Sequence, residues 1–149
     1  MLYDRLLRDE DRFFLSKGHG PTAYYAVLAA KGLLDVDELD GFGSWDSRLG
    51  YHPDRALAPG VELSSGSLGH GLAIAVGAAL TGRRVYCLVG DGELDEGSNW
   101  EAVQWAGRIG LGSGDGRGEK GCGLFRAPAF QRAAGSGHES KFTLPVAIS

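Results

Sequence analysis

The run Val85-Tyr86-Cys87-Leu88-Val89, closed by Gly90-Asp91-Gly92, limits what this chain can fold into more than any other feature. Successive side chains of a strand point to opposite faces. An unbroken apolar run therefore asks for a sheet covered on both sides, the usual setting of a parallel strand packed between helices. Beyond the turn, Ser98 and Glu101 have the spacing of a capping box for a helix reaching about Ile109.

The residues before this run repeat the alternation of strand and helix. "RFFLS" (12–16) reads as a strand, and "KGHGPT" as a turn that opens a helix. In that helix Tyr24, Val27, Leu28 and Lys31 share one face, and Ala23, Ala26 and Ala30 the adjacent one. Asp35 with Glu38 marks the start of a second short helix. Residues 41–60 are loop by their Gly, Pro, Ser and Asp content. "SSGSLGHG" (64–71) opens a third helix, whose Ala73, Gly77 and Ala78 are small enough to let another backbone approach. Alternating elements of this kind predict an α/β fold, a parallel sheet flanked by helices.

From Gly112 the pattern stops. Glycine is in excess along the whole chain, 25 in 149 residues against a usual share of roughly 7%, and the eight that fall here show no periodicity. Pro145 demotes the closing "KFTLPVAIS" to an edge strand at best. The expected division is a domain over 1–111 and an irregular, glycine-rich tail over 112–149.

A net charge of -4 and a pI near 5.5 argue against nonspecific nucleic-acid binding, which needs a basic face. No stretch reaches the ~18 apolar residues of a membrane span, and "MLYDRLLRDEDR" lacks an apolar signal core. Cys87 and Cys122 have neither metal-ligand spacing nor the numbers for a disulfide framework. A soluble, cytoplasmic domain is expected.

The Gly-Asp-Gly turn carries the chemistry. In an open parallel sheet, ligands bind beyond the carboxyl ends of the strands. Asp91 falls at such an end, where the backbone is expected to turn tightly enough to require Gly90 and Gly92. A carboxylate beside the free N–H groups of a helix start suits a divalent cation bridged to a diphosphate. A tight turn with no ligand is the competing reading of those residues alone.

"DRFFLSKGHG", "VELSSGSLGHGLAIAVGAAL" and "VYCLVGDGELDEGSNWEAVQWAG" together resemble the cofactor-binding domain of transketolase, most of all the N-terminal subunit of the split form. The motifs stand in family order over residues 11 to about 111. The resemblance implies a partial thiamine diphosphate-binding fold, with magnesium, calcium or manganese on Asp91 and Gly92 presenting backbone to the diphosphate. His19 matches a histidine near the diphosphate and the reacting carbons, and His52 one that contacts the sugar. Gly66 matches a carbonyl that holds the cofactor's 4′-amino group, and Leu68 a wedge against the thiazolium. Glu96, and less clearly Glu101, resemble glutamates that bond across to the partner domain. The implied reaction moves a two-carbon ketol unit between sugar phosphates, as in the pentose phosphate pathway. The implied partner is the C-terminal, pyrimidine-binding subunit, in a dimer or heterotetramer, with no nucleic acid or membrane involved.

Bland readings stand beside these. His19 caps a helix start, His52 is a surface histidine, and Asp95 and Glu96 are solvated acids favoured by the helix dipole. His70 is structural, and Trp100 and Trp105 are packing residues. The family's second side-chain metal ligand is an asparagine roughly thirty residues past the aspartate, whereas the only asparagine here is Asn99. Its strand is replaced by the tail, which leaves Val85–Val89 with an unpaired edge and the tail itself with the look of a shifted reading frame. An earlier helical segment with another active-site histidine is also missing. A different thiamine diphosphate enzyme, such as a 2-oxo acid dehydrogenase component, and a non-catalytic remnant are the alternatives.

Overall fold

The computed structural model describes Leu7, residues 9–111 and the backbone of Cys122–Phe125. Arg12–Leu15 (β1), Val85–Leu88 (β2) and Cys122–Phe125 (β3) form a parallel sheet with β2 in the middle. Register is set by the pairs Phe13–Tyr86, Phe14–Cys87 and Leu15–Leu88 on one side of β2, and Cys87–Leu124 on the other. The expected bare edge of β2 is therefore occupied. Cys122–Phe125 runs along it as a parallel partner, because a short apolar segment inside the glycine-rich stretch suffices to extend the ladder. Residues 112–121 and 126–149, the rest of the segment set apart as irregular, lie outside the described residues.

Strand alternation sends the sheet's side chains into two cores. Phe14, Val85, Cys87 and Val89 face helix α2 (Gly71–Ala79) and helix α3 (Gly97–Arg108), meeting Leu72, Ala75, Val76, Ala102 and Ala106. Phe13 and Leu15 face the other way, onto helix α1 (Pro21–Ala30) through Tyr24, Tyr25 and Leu28 and onto Leu34, Leu49, Ala58 and Val61 of the long connection. The β2 run is apolar throughout for this reason. Each such side chain taken from water contributes about 1.5–3 kcal/mol, so β2 draws on both layers at once.

Helix details differ from the periodicity reading. Proline at the first position of α1 suits a helix start. The face that α1 buries is Pro21, Tyr24, Tyr25, Leu28 and Ala29, while Val27 and Lys31 are exposed. The Asp35 signature gives a 3₁₀ helix, Val36–Gly41, and the Asp35 carboxylate accepts from the Asp37 N–H at 3.2 Å. In α2 the close approach is made at Gly71, not at Ala73, Gly77 or Ala78. A Cβ on Gly71 would fall 2.9 Å from Ser16 Cα and nearer still to its side chain, whereas one on Gly77 would meet nothing within 4 Å. No helix among the described residues is long and apolar enough to cross a membrane.

The amino end of the sheet is tied by a forked ion pair. Arg84 donates through Nε at 3.0 Å and Nη2 at 2.6 Å to the buried Asp11 carboxylate. That hydrogen bonding holds the guanidinium above its ordinary pKa, against the opposing pull of burial. Arg12 and the Phe13 N–H share the two oxygens of Glu62, both at 3.0 Å.

Candidate functional site

Because β1 and β2 run parallel, their carboxyl ends lie side by side. The N–H groups of Ser16 and Lys17 both donate to the Leu88 carbonyl, at 2.9 and 3.0 Å, which seats the loop after β1 against the turn after β2. The loop leading into α2 completes the cluster. A Cβ placed on Gly18 would stand 2.8 Å from both N and Cα of Gly66, so these two backbones touch with no room for a side chain. Gly66 adopts φ +137, a conformation that favours glycine, and packs on the ring of His52. The rings of His19 and His52 are 5.4 Å apart, centroid to centroid, tilted by 49°. His52 is steadied from behind: Tyr25 donates to the Gly50 carbonyl at 3.1 Å, and Ser65 N–H donates to the Pro53 carbonyl at 3.1 Å. Burial, then the nearby Asp54 charge, raises the Tyr25 phenol above its ordinary pKa.

His19, His52 and Gly66 are thus brought together from residues far apart in sequence. Both histidines face solvent, as do Leu68 and Glu96. Ser65 Oγ is buried in the same loop with no hydrogen-bond partner among the described residues.

Glu93 is the group that sequence reasoning missed. It is 2% exposed, and its carboxylate gathers donors from three loops. The Ser16 hydroxyl and the Gly69 N–H (3.0 Å) meet Oε1, and the Gly90 N–H (3.1 Å) meets Oε2. Position in the acidic run gives no sign of this, since Asp91, Asp95 and Glu96 on either side are exposed. The one sequence hint is that a single 3₁₀ turn, Gly92–Asp95, must present one of its acids inward. Asn99 Nδ2 donates to the Glu93 carbonyl at 2.6 Å and Trp100 Nε1 to the Leu94 carbonyl at 2.8 Å, which secures that turn to α3.

The predicted capping box does not form. The cap position of α3 is Glu96, with no side-chain cap bond, and the Ser98 hydroxyl donates instead to the Gly69 carbonyl at 2.9 Å. Ser98 is used to bind α3 to the loop before α2, and Glu101 is exposed. His70 occupies the cap position of α2 without a side-chain cap bond. Trp100 and Trp105 are 39% and 47% exposed, so neither is the packing residue the sequence suggests.

Asp91 sits at the end of β2 with an exposed carboxylate that makes no hydrogen bond among the described residues. The turn does not need its glycines for backbone reasons, since neither Gly90 nor Gly92 has positive φ. Gly90 is hemmed in, with its absent Cβ 3.4 Å from the Lys17 side chain. Gly92 is open: a Cβ there would meet nothing within 4 Å. Among the described residues no three His, Cys, Asp or Glu side chains cluster as metal ligands. Asp91 stands as a single free carboxylate beside an uncovered stretch of backbone.

Residues 3–85 match the family profile "Transketolase, thiamine diphosphate binding domain". The chain is 46% identical over 106 residues to an apulose-4-phosphate transketolase subunit of Actinobacillus succinogenes, covering 67% of this chain and 38% of that protein. It is 58% identical over 110 residues to "Ferredoxin fas2" of Rhodococcoides fascians, covering 69% of this chain and 36% of that one. Among solved structures it superposes on "Transketolase from Leishmania mexicana" with a TM-score of 0.68 at 36% identity, over 78% of this chain and 19% of that one. The chain spans little more than a third of the length of these curated relatives.

Proposed function

The chain belongs to the transketolase family, as part of its N-terminal thiamine diphosphate-binding domain, and from that premise we propose that it furnishes the diphosphate-side half of a ketol-transferring site. The observation that carries the proposal is the meeting of His19, His52 and Gly66 at the carboxyl end of the sheet, the end from which the Gly90-Asp91-Gly92 turn emerges. Those positions come from two separate connections, the loop after β1 and the long stretch between Gly41 and Gly71, and the core residue Tyr25 helps hold the second of them in place.

The donor set fits the cofactor in part, with Asp91 as a carboxylate ligand and no counterpart among the described residues for the family's asparagine ligand, since Asn99 is engaged with the Glu93 carbonyl. Magnesium keeps several waters and uses one or two carboxylates together with substrate phosphates, which suits the exposed carboxylate of Asp91; calcium or manganese, which share the preference for oxygen ligands, are the alternatives. Gly92, with nothing within 4 Å of its missing Cβ, leaves its backbone open to a diphosphate. Gly66 and Leu68 border the space for the rings, and the unpaired Ser65 Oγ beside them is a polar atom still lacking a partner. When bound, thiamine diphosphate supplies the carbon nucleophile and electron sink for breaking a carbon–carbon bond beside a carbonyl. The chain's own contribution is to hold the cofactor and to manage protons. A neutral imidazole carries one donor and one acceptor nitrogen, and two such rings 5.4 Å apart suit proton transfer to and from a ketose hydroxyl. Leu68, exposed in the free chain, would lie against the bound cofactor and help to keep water from it.

The same reading assigns sugar phosphates as substrates and a cytoplasmic setting. It pairs the chain with a separate pyrimidine-binding subunit, in keeping with relatives described as transketolase subunits, and gives Glu96 the contact to it. The test is thermal denaturation of the full chain with thiamine diphosphate and magnesium, since a ligand selective for the folded state must raise the melting temperature. A rise that Asp91→Ala abolishes supports the proposal. No rise at millimolar cofactor leaves a non-catalytic remnant.

A further inference from the structure

We propose that Glu93 is a positioning residue of this site, a buried carboxylate whose three hydrogen bonds set the Gly90–Gly92 turn against the two upstream loops and so fix where the diphosphate and its cation are received. The inference rests on the functional reading above for its ligand, but its geometry is independent of that reading.

Each anchor of Glu93 adjoins a residue of the candidate site. Ser16 opens the loop carrying His19, Gly69 follows Leu68, and Gly90 precedes Asp91. Among the described residues no cationic side chain pairs with Glu93, so the cost of taking a carboxylate out of water is met by those three donors alone. The chemistry of the donors selects the side chain. An ionised carboxylate is acceptor-only on both oxygens, whereas glutamine has one accepting oxygen and one donating nitrogen. A glutamine keeping its oxygen on Ser16 and Gly69 would turn its NH2 toward the Gly90 N–H, donor against donor. An apolar residue would leave all three donors unmet. A merely space-filling role calls for neither a charge nor three convergent donors, and apolar Leu94 fills that role next door.

Two measurements on the full chain test this. The first is amide hydrogen exchange without ligand. Glu93→Gln is expected to speed exchange at Gly90 by roughly 5–30-fold, the effect of losing one to two kcal/mol of local protection, while Tyr86 and Cys87 in β2 keep theirs. Unchanged exchange at Gly90 and Gly69 overturns the inference. The second is a titration with thiamine diphosphate at fixed magnesium, read by thermal shift. The half-saturating concentration is expected to rise about tenfold in Glu93→Gln, a transfer of roughly 1.4 kcal/mol, with the ligand-free melting temperature lowered by only a few degrees. A structural residue would lower the melting temperature and leave half-saturation where it was, and that result also overturns the inference.

If the unaltered chain shows no response to cofactor, the functional reading falls and the positioning role falls with it, whatever the exchange data say. If the unaltered chain responds and Glu93→Gln responds at the same concentration, only the present inference falls. Should Glu93→Gln fail to fold, Ser16→Ala removes one donor and keeps the carboxylate. It is expected to raise half-saturation by a few fold, and no change there counts against the role.

Discussion

Two glycine-to-alanine substitutions should move stability in opposite directions, and the pair tests how the site is packed. At Gly18 the added methyl would stand 2.8 Å from N and Cα of Gly66, about 0.6 Å inside the 3.4 Å at which ordinary contact begins. Both opposing atoms are backbone, so no rotamer change relieves the clash, and the loops must separate. Overpacking of this kind costs about 1–3 kcal/mol; at about 2 kcal/mol the melting temperature of a domain of roughly 100 ordered residues falls by about 8–16 °C. At Gly77, inside α2, the same methyl meets nothing within 4 Å. There the helix propensity of alanine over glycine adds about 1 kcal/mol, a rise of about 4–8 °C. Differential scanning calorimetry of Gly18→Ala and Gly77→Ala against the unaltered chain decides it. Equal shifts, or an unmoved Gly18→Ala, would refute the claim that the loops after β1 and before α2 touch backbone to backbone. The ring of His52 lies 3.1 Å from the same methyl position, so Gly18→Ala should also lose any thermal response to thiamine diphosphate.

Three further outcomes are expected. Asp91→Ala should leave the ligand-free stability within about 0.5 kcal/mol of unaltered, since its carboxylate is exposed and unbonded, while removing the cofactor-dependent rise; a large intrinsic loss would show a structural role instead. Arg84→Met should destabilise by about 3 kcal/mol in urea denaturation, because Asp11 is buried and loses its forked partner, and Arg84→Lys should recover only part of that. Tyr25 has a folded-state pKa raised by burial, so its protonated form carries stability that is intact below the unfolded phenol's pKa of about 10 and is lost as pH rises through the higher folded value. Tyr25→Phe should therefore flatten the loss of stability above about pH 10 while costing about 1 kcal/mol at neutral pH for the bond to Gly50. An unchanged alkaline limb would count against this.

What could be read ahead of the fold was what strand and helix periodicity determine. The run Val85–Val89 announces a doubly covered strand because both its faces are apolar, and the two cores bear this out. The histidine and glycine loops were placed by resemblance, and His19, His52 and Gly66 do converge. What escaped was decided in three dimensions. Ser98 looks like a cap because its local partner stands three residues on, yet its hydroxyl bonds Gly69, distant in sequence. Glu93 looks like its acidic neighbours until the 3₁₀ turn points it inward. The buried face of α1 runs through Tyr25 and Ala29, not through Val27 and Lys31, because the helix is covered on that side by Phe13 and Leu15 of β1 and by Leu49, Ala58 and Val61, residues distant in sequence. Cys122–Phe125 is too short and too rich in glycine around it to be recognised as a strand, and the ladder of β2 organises it.

The pairing of β1 with β2 has a consequence for how the chain is made. Asp11 and Arg84, the ion pair at the head of these strands, are 73 residues apart. The length-dependent part of closing a loop that long is about 4 kcal/mol, so the backbone pairing of β1 comes late even though Phe13 and Leu15 have α1 to pack on from the start. On a ribosome adding about 5–20 residues per second, the backbone of Phe13, Phe14 and Leu15 waits roughly 4–15 s for the strand that will pair with it. That interval, during which the ladder edge of β1 is unpaired and Phe14 lacks the helices it packs on, is where chaperone capture and loss to aggregation will set the yield of soluble protein.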